Sequence, residues 1–586
     1  MIVGLGPWDP TVTALRDWLV DRLLVDHPYL ARKVLSGTTM AGALLDSDLI
    51  LPVLDGFDEI AEGLRCAALE AINDTAFPLV MTSRRDEFAE AVQASGSPLA
   101  WAAGIELIDL TLDDLQAYLP RTVRTPVRNA TATVWDAVLR GLQTQETPAS
   151  VSLAGVLTTP LMVVLARTMY SEARDRDPAE LLDAVRFPDE HALEEHLLAG
   201  FVPAVYRRRV RERIAVGHQQ RHHWDATHAQ RWLGYLAHHL AQADHSRQDL
   251  AWWQICGSLP RSTRIMTVAI ASALCIGGSN WLIALLVSDL AIGAIFMQCA
   301  LIAAAAGIAF GSVYAMMTAF GGGVFEPSRV RLSLPGRHSM GRQAIRAFTT
   351  RFAVVMLGGF VMGAGCACAL ALQHVLYQGT SLTNPDLIQD VLINVLAFGL
   401  IFGSAVGPVF GLMAALEAPL DVASAATPAA LLASNRATVR RQILIVAPTI
   451  TLAIAFGGPL IVGLLHGSIG PMAWPLTDGL AIAAVGGIGC ALAYAFGFTA
   501  WGNWVIQSRI WMPLTGKLPW NMINFLDDAY KRGVLRQNGA VYQFRHARLQ
   551  HHLGYTFRQR QATYVPAQFA TSTSTLVISA TQDTSD

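Results

Sequence analysis

Lysine is nearly missing from this 586-residue chain, which has only Lys33, Lys517 and Lys531. A phosphate-cradling loop GxxxxGK[ST] needs a lysine followed by Ser or Thr and an upstream glycine, so that backbone N–H groups and an ammonium surround the phosphates. Gly516-Lys517 is followed by Leu518 and lacks that glycine, so these residues contain no such loop. Charge is scarce too: 15% charged against 52% hydrophobic residues excludes an ordinary soluble enzyme. A formal net charge of −2 gives no bulk attraction for nucleic acid, and none is expected as a partner. There are seven cysteines, with Cys275, Cys299, Cys366, Cys368 and Cys490 in apolar runs and Cys66 and Cys256 isolated. That excludes a CxxC metal pair and a secreted disulfide framework. The opening MIVGLGPWDP has neither a basic n-region nor an apolar core, so it is not a signal peptide.

Long apolar runs are what the chain does have. Residues 1–260 hold most of the charge, and six stretches near 265–287, 290–320, 352–374, 390–415, 442–465 and 477–506 can each cross a bilayer as a helix. The connection at Ser288-Asp289 and the loops 374–390 and 466–478 contain no Lys or Arg. The alternate loops contain Arg329, Arg331, Arg337, Arg342, Arg346 and Arg351, then Arg436, Arg440 and Arg441. The positive-inside rule therefore places those loops and both termini in the cytoplasm, giving a multi-pass plasma-membrane protein with the lipid bilayer as its partner. Phe310-Gly311-Ser312 recurs as Phe402-Gly403-Ser404 and, less closely, as Phe496-Gly497-Phe498, which predicts three helical hairpins. Gly358-Gly359 and Gly457-Gly458 read as close-packing sites. The absence of mid-span charge argues against ion-coupled transport.

The soluble part is organised around "LILPVLDGFDEIAEG", Leu49 to Gly63. Ile50 to Leu54 read as a buried parallel strand, and Asp55 stands at its C-terminal end, where open α/β sheets bind ligands. A helix over about 61–73 follows, then a second strand within "FPLVMTSRRDEF", Phe77 to Phe88. Adjacent strand ends would set a carboxylate for Mg²⁺ beside an arginine for phosphate. The acidic turn has an alternative reading as a solvated helix cap through Asp58. "INFLDDAYKRGVLRQNGAVYQFRHARLQHHL", Ile523 to Leu553, reads as helix, strand, Asn-Gly hairpin, strand, helix, the order of a winged helix. His222, His223, His238 and His239 lie on an arginine-rich amphipathic segment and read as a solvated face rather than metal ligands.

Leu54-Asp55-Gly56-Phe57-Asp58-Glu59 resembles the acidic strand motif of the NACHT family of STAND nucleotide-switch ATPases, in particular its actinobacterial members with membrane-embedded regions. The resemblance implies ATP or ADP with Mg²⁺ as cofactor. Asp55 would hold the Mg²⁺-bound water network as the metal residue, and Asp58 with Glu59 would polarise the attacking water. Thr82-Ser83-Arg84 looks like the family's sensor strand end, making Arg84 the γ-phosphate sensor and Arg85 a surface charge. Pro160, in the Thr-Thr-Pro turn before "LMVVLARTMY", resembles the family proline beside adenine, and a proline at a helix start is equally an ordinary N1 residue. His546, in "YQFRH" before Gln550, matches the winged-helix histidine that reaches the bound diphosphate. Self-association through the head and a role in signalling or defence are further implications of the family.

The expected fold class is thus an α/β, P-loop-NTPase-like partial domain with a parallel sheet, plus helical and winged-helix segments and a six-helix α-helical transmembrane region. Residues 1–125 form the partial nucleotide-binding domain and 126–260 the helical region with the start of the winged-helix domain. Residues 261–508 are the spans, inserted ahead of the winged segment 509–555, and 556–586 form a disordered polar tail. The first residues resemble the strand and helix that follow the family's phosphate loop, and the lost first strand and helix would leave Val53 and Leu54 partly uncovered. Either translation starts upstream of Met1 or the chain is a degenerate relative; as it stands it should bind ATP poorly. Two functions follow: a membrane-anchored nucleotide-dependent switch, or a non-enzymatic membrane effector or scaffold with a vestigial head.

Overall fold

The computed structural model describes residues 1–34, 37–123, 133–171, 176–216, 224–243, 249–287, 292–320, 325–330, 342–378, 381, 385–419, 427–469 and 474–564. The chain is mostly helical, with a small parallel sheet at the N-terminus and six helices long and apolar enough to cross a membrane.

The sheet pairs Ile2–Gly4 (β1), Val53–Asp55 (β2) and Val80–Met81 (β3) in the order β1-β2-β3, all parallel. The two polar strand ends lie side by side, as expected, with Leu54 opposite Met81. The strands are shorter than the apolar runs suggest. Only Val80 and Met81 of 77–88 pair, because the chain enters a helix at Arg85 whose first turn holds Asp86 and Glu87. Two carboxylates there complement the N-terminal end of the helix dipole. Leu54 is not left uncovered: it is fully buried, in a cluster with Leu5, Trp8, Leu19 and Phe57, while Val53 is half-buried. β1 and the Leu15–Asp26 helix supply that cover.

A second, larger core joins helices between 112 and 243 to the C-terminal segment. Asp249–Leu250 (β4) leads directly toward the first span and pairs antiparallel with a strand that follows the last one. Beyond the spans come the helix Met522–Lys531, Leu535–Asn538 (β7), Val541–Phe544 (β8) and the helix Ala547–Tyr564. Between them on the chain, Ser328–Val330 (β5) and Glu417–Pro419 (β6) pair antiparallel at the ends of membrane helices. The sheet order is β4-β8-β7, so the strand before the spans is completed by the strands after them. The six-helix body is therefore inserted between the strands of one three-stranded antiparallel sheet.

The predicted Asn-Gly hairpin is present: Asn538 pairs with Val541, and Gly539 takes φ 52°, which favours glycine. The wing has the partner its small size requires. Helix 226–243 packs on helix 547–564, with Tyr235 and Phe557 ring centroids 5.9 Å apart. The final helix runs to Tyr564, past the expected boundary at 555, because Leu549 and Leu553 anchor it in the core. Residues 565–586 of the expected tail lie outside the described residues.

The six membrane helices are Arg261–Val287, Ile292–Phe320, Arg342–Gln378, Pro385–Leu416, Pro428–Ile469 and Leu476–Gly497. Successive helices pack as three hairpins, and the first also packs on the sixth, closing a ring. The last span ends at Gly497 rather than 506: Thr499 accepts a hydrogen bond from the Gly502 amide at 3.0 Å and caps a new helix that continues into a π-helix at Trp504–Trp511. The glycine pairs divide. A Cβ on Gly359 would lie 2.5 Å from the Gly403 backbone, so the third and fourth spans touch main chain to main chain, whereas Gly457 faces open space.

Candidate functional site

The turn after β2 is built by its glycine. Gly56 adopts φ 77°, and a Cβ there would meet the Glu59 side chain at 2.9 Å, so only glycine lets the acidic turn fold back on the strand end. The buried Arg65 then holds the turn from below, donating to the carbonyls of Asp58 at 3.0 Å and Ile60 at 3.1 Å. Thr82, just past β3, donates its hydroxyl to Asp55 Oδ1 at 2.7 Å and accepts from the Gly56 amide at 2.9 Å. These contacts fix Asp55 at the C-terminal end of the central strand with half of its side chain exposed.

Asp58 does not cap a helix and is not free to act on water. It is 8% exposed, and its Oδ2 lies 2.9 Å from Arg536 of β7 and 3.4 Å from Arg84. Arg84, half-exposed, also faces Glu87 at 3.7 Å. Arg85 pairs with Glu106 on the surface, as expected of a solvent-facing charge. The Glu59 carbonyl accepts a 2.9 Å hydrogen bond from the Gly539 amide at the hairpin tip. Burial above all, then the neighbouring Asp58 and Asp55 against the opposing Arg545 and Arg536, pushes the Glu59 carboxyl up to about 7. At neutral pH Glu59 is therefore about half ionised, in the range where a carboxylate can take up or release a proton.

The wing contributes two arginines that sequence reasoning overlooked. Arg536 is buried with its Nε lacking an acceptor, and Arg545 stands 4.0 Å from Asp55. Nothing in the polar strand Leu535–Asn538 signalled this; the fold buries Arg536, a costly placement unless a carboxylate waits opposite. His546 is half-buried beside them. Burial, then the charges of Arg545, Arg84 and Arg536, push its imidazole down to about 4. Tyr530 reaches the other edge, where a Cβ on Gly4 would meet its hydroxyl at 2.9 Å.

Asp55, Asp58, Glu59, Arg84 and His546 are thus brought into one constellation spanning head and wing. Pro160 is not. It is exposed at the start of the Pro160–Tyr170 helix, which packs into the helical core. His222 and His223 lie outside the described residues. His238 and His239 are half-buried rather than solvated; His238 packs on Phe557 with ring centroids 5.7 Å apart. Among the described residues no group of three His, Cys, Asp or Glu side chains could hold a metal.

The constellation fits part of a Mg²⁺ nucleotide. Mg²⁺ is commonly held through one or two carboxylates, waters and phosphate oxygens, a role open to the half-exposed Asp55. A phosphate oxygen would satisfy the orphaned Arg536 Nε, and Arg84 and Arg545 present half-exposed guanidiniums beside it. Nothing among these residues replaces the glycine-rich loop and lysine that would hold the remaining phosphates. Elsewhere, the spans line a partly open apolar cavity of about 540 Å³, with Phe310, Phe402 and Phe410 on its walls and Asn280, Gln373 and Asp478 toward the end remote from the head. Comparison of the chain with family models, curated proteins and solved structures finds no match.

Proposed function

We propose that this protein is a membrane-anchored, NACHT-type nucleotide-dependent switch, a P-loop-NTPase-like head read by its own wing across an inserted six-span body. One observation carries the reading. Arginines of the wing converge with Arg84, which follows β3, on the carboxylates at the end of β2, and one of them keeps a buried donor without an acceptor. Nucleotide phosphate would compete with Asp55 and Asp58 for those arginines, so the same charges that dock the wing would report the ligand. Asp55 is the Mg²⁺ residue of this reading and Arg84 the phosphate sensor. Asp58 is assigned to the docking ion pair, and His546 to the diphosphate side of the interface. Both termini are cytoplasmic and the protein resides in the plasma membrane, with signalling or defence as its role. Hydrolysis is not expected, since the chain has no phosphate loop.

Binding of a fluorescent ADP analogue with Mg²⁺ to the protein in nanodiscs tests this. Weak, millimolar-range binding that Arg84→Ala and Arg545→Gln reduce several-fold is the expected result, together with no measurable ATP turnover. Absence of binding by ADP and ATP alike refutes the nucleotide reading. Turnover abolished by Glu59→Gln refutes the expectation that these residues, without a phosphate loop, do not hydrolyse ATP.

The partly open cavity among the spans favours a second reading, a non-enzymatic membrane effector that responds to a ligand in the bundle. In that case cavity-filling substitutions at Ala481 or Cys366 change its output and nucleotides do not.

A further inference from the structure

Three arginines and three tryptophans meet where the membrane body joins the wing. Arg436 and Arg440 are one turn apart on the fifth membrane helix; Arg509 and Trp504 lie on the π-helix, with Trp501 just before it and Trp520 before the wing. They line an open pocket of about 630 Å³. On the helix side the floor is Ala429, Ala433 and Ala437, small residues one turn apart that leave the space vacant. None of the three arginines has a carboxylate partner among the described residues; Arg509 lies 5.9 Å from the Trp504 ring centre as a cation–π contact.

The level of this pocket is set by the helices. The fifth helix has 42 residues, about 63 Å at 1.5 Å per residue, twice a hydrocarbon core, so its N-terminal part projects on the head side. Arg440 stands at the start of its apolar run and Arg436 one turn further out. Trp501 and Trp504 follow within about two turns of the end of the sixth span at Gly497. Tryptophans and arginines at that depth belong to the headgroup layer. Leu444, Ile510, Leu514 and Trp520 are exposed around them, an apolar rim that continues the lipid-facing surface.

We propose that this pocket binds the phosphate headgroup of an anionic lipid, and that the bound lipid ties the wing to the bilayer. The guanidiniums take phosphate oxygens, the indoles seat the glycerol backbone and upper acyl chains, and the alanine floor supplies the room. Because Ile523 of the wing's first helix, with Trp520 and Asn521 just before it, shares the pocket, the headgroup bridges membrane and switch. This rests on the Arg and Trp geometry and is independent of whether the head binds nucleotide.

Native mass spectrometry of the full chain, released from nanodiscs of mixed phosphatidylglycerol and phosphatidylcholine, reads retained lipid directly. The wild-type protein should retain phosphatidylglycerol in preference to phosphatidylcholine. Arg436→Gln, Arg440→Gln and Arg509→Gln should each lower that preference by about fivefold. Arg441→Gln removes the same charge at the same depth outside the pocket and should leave the preference unchanged. Equal retention of the two lipids by the wild-type protein overturns the proposal, as does an Arg441→Gln loss equal to that of the pocket variants. Displacement of phosphatidylglycerol by millimolar inorganic phosphate also overturns it, by assigning the pocket to a soluble phosphate.

Discussion

Replacing Arg536 with methionine should undock the wing from the head. Asp58 and Arg536 are each 9% exposed along their side chains and 2.9 Å apart. Removing one member of such a pair leaves the other buried and uncompensated, at about 3–5 kcal/mol. Arg84, 3.4 Å away but half-exposed, still neutralises part of the Asp58 charge and lowers this to about 2–4 kcal/mol. The Gly539 amide, which bonds the Glu59 carbonyl across the interface, is a direct reporter. Its hydrogen-exchange protection should fall by roughly 30- to 1,000-fold, the factor that this free energy implies. The double variant Asp58→Asn with Arg536→Met should recover much of the protection, since neither partner is then a buried lone charge. Unchanged protection at Gly539 in the single variant, or a double variant as exposed as the single one, would refute the ion pair as the clamp.

Docking should also depend on pH through two opposed groups. Glu59, raised to about 7 and surrounded by Asp55, Asp58, Arg536 and Arg545, favours its protonated form when docked, so its contribution declines as pH rises from about 4.5 through 7. His546, lowered to about 4 beside Arg545, Arg84 and Arg536, is held neutral, so its contribution is lost as pH falls from 6.5 toward 4. Gly539 protection in Glu59→Gln should therefore rise up to pH 6.5 and then level off, and in His546→Gln it should decline across 4.5–7; flat profiles in both variants refute the linkage. In the membrane body, Gly359→Val should destabilise by about 3 kcal/mol or more in a detergent melt, because backbone atoms at 2.5 Å cannot yield. Gly457→Val, facing open space, should stay within about 0.5 kcal/mol, and equal losses would remove the close-approach argument. A cysteine probe in 374–390 should label from outside the cell and one in 326–351 should not; the opposite result inverts the proposed orientation.

The close approach of the third and fourth spans explains why glycine is used so freely in the bundle. Gly359 faces the Gly403 backbone and Gly363 the Gly399 backbone, a contact that any side chain would break. The recurring Phe-Gly-Ser motif has the same basis in two of its copies. Gly311 meets Ala269 of its hairpin partner and Gly403 meets Met356 of its own. Gly497 instead meets Val268 of the first span, which is the contact that closes the ring. Two of the repeats therefore pack hairpins, and the third joins the end of the body to its beginning.

The sequence by itself determined the features that depend on local pattern. The six spans follow from run length, the Asn538-Gly539 hairpin from the backbone freedom of its glycine, and the Asp55 strand end from an apolar run meeting a sharp turn. The insertion was legible because a helix, hairpin and helix after the spans completes something begun before them. Tertiary structure alone decided the rest. Whether Asp58 and Glu59 would face water or be closed over depended on where β7 and β8 landed, 478 residues away for the Arg536–Asp58 contact. The arginines that occupy the site, Arg536 and Arg545, look in the sequence like any polar residue of a surface hairpin. Pro160 matched a motif locally, and what places its helix is the burial of Met162, Val163 and Leu165 in the larger core, which one exposed proline does not determine. Patterns of periodicity and turn chemistry are written along the chain, whereas the pairing of buried charges is settled only when distant segments compete for the same small volume.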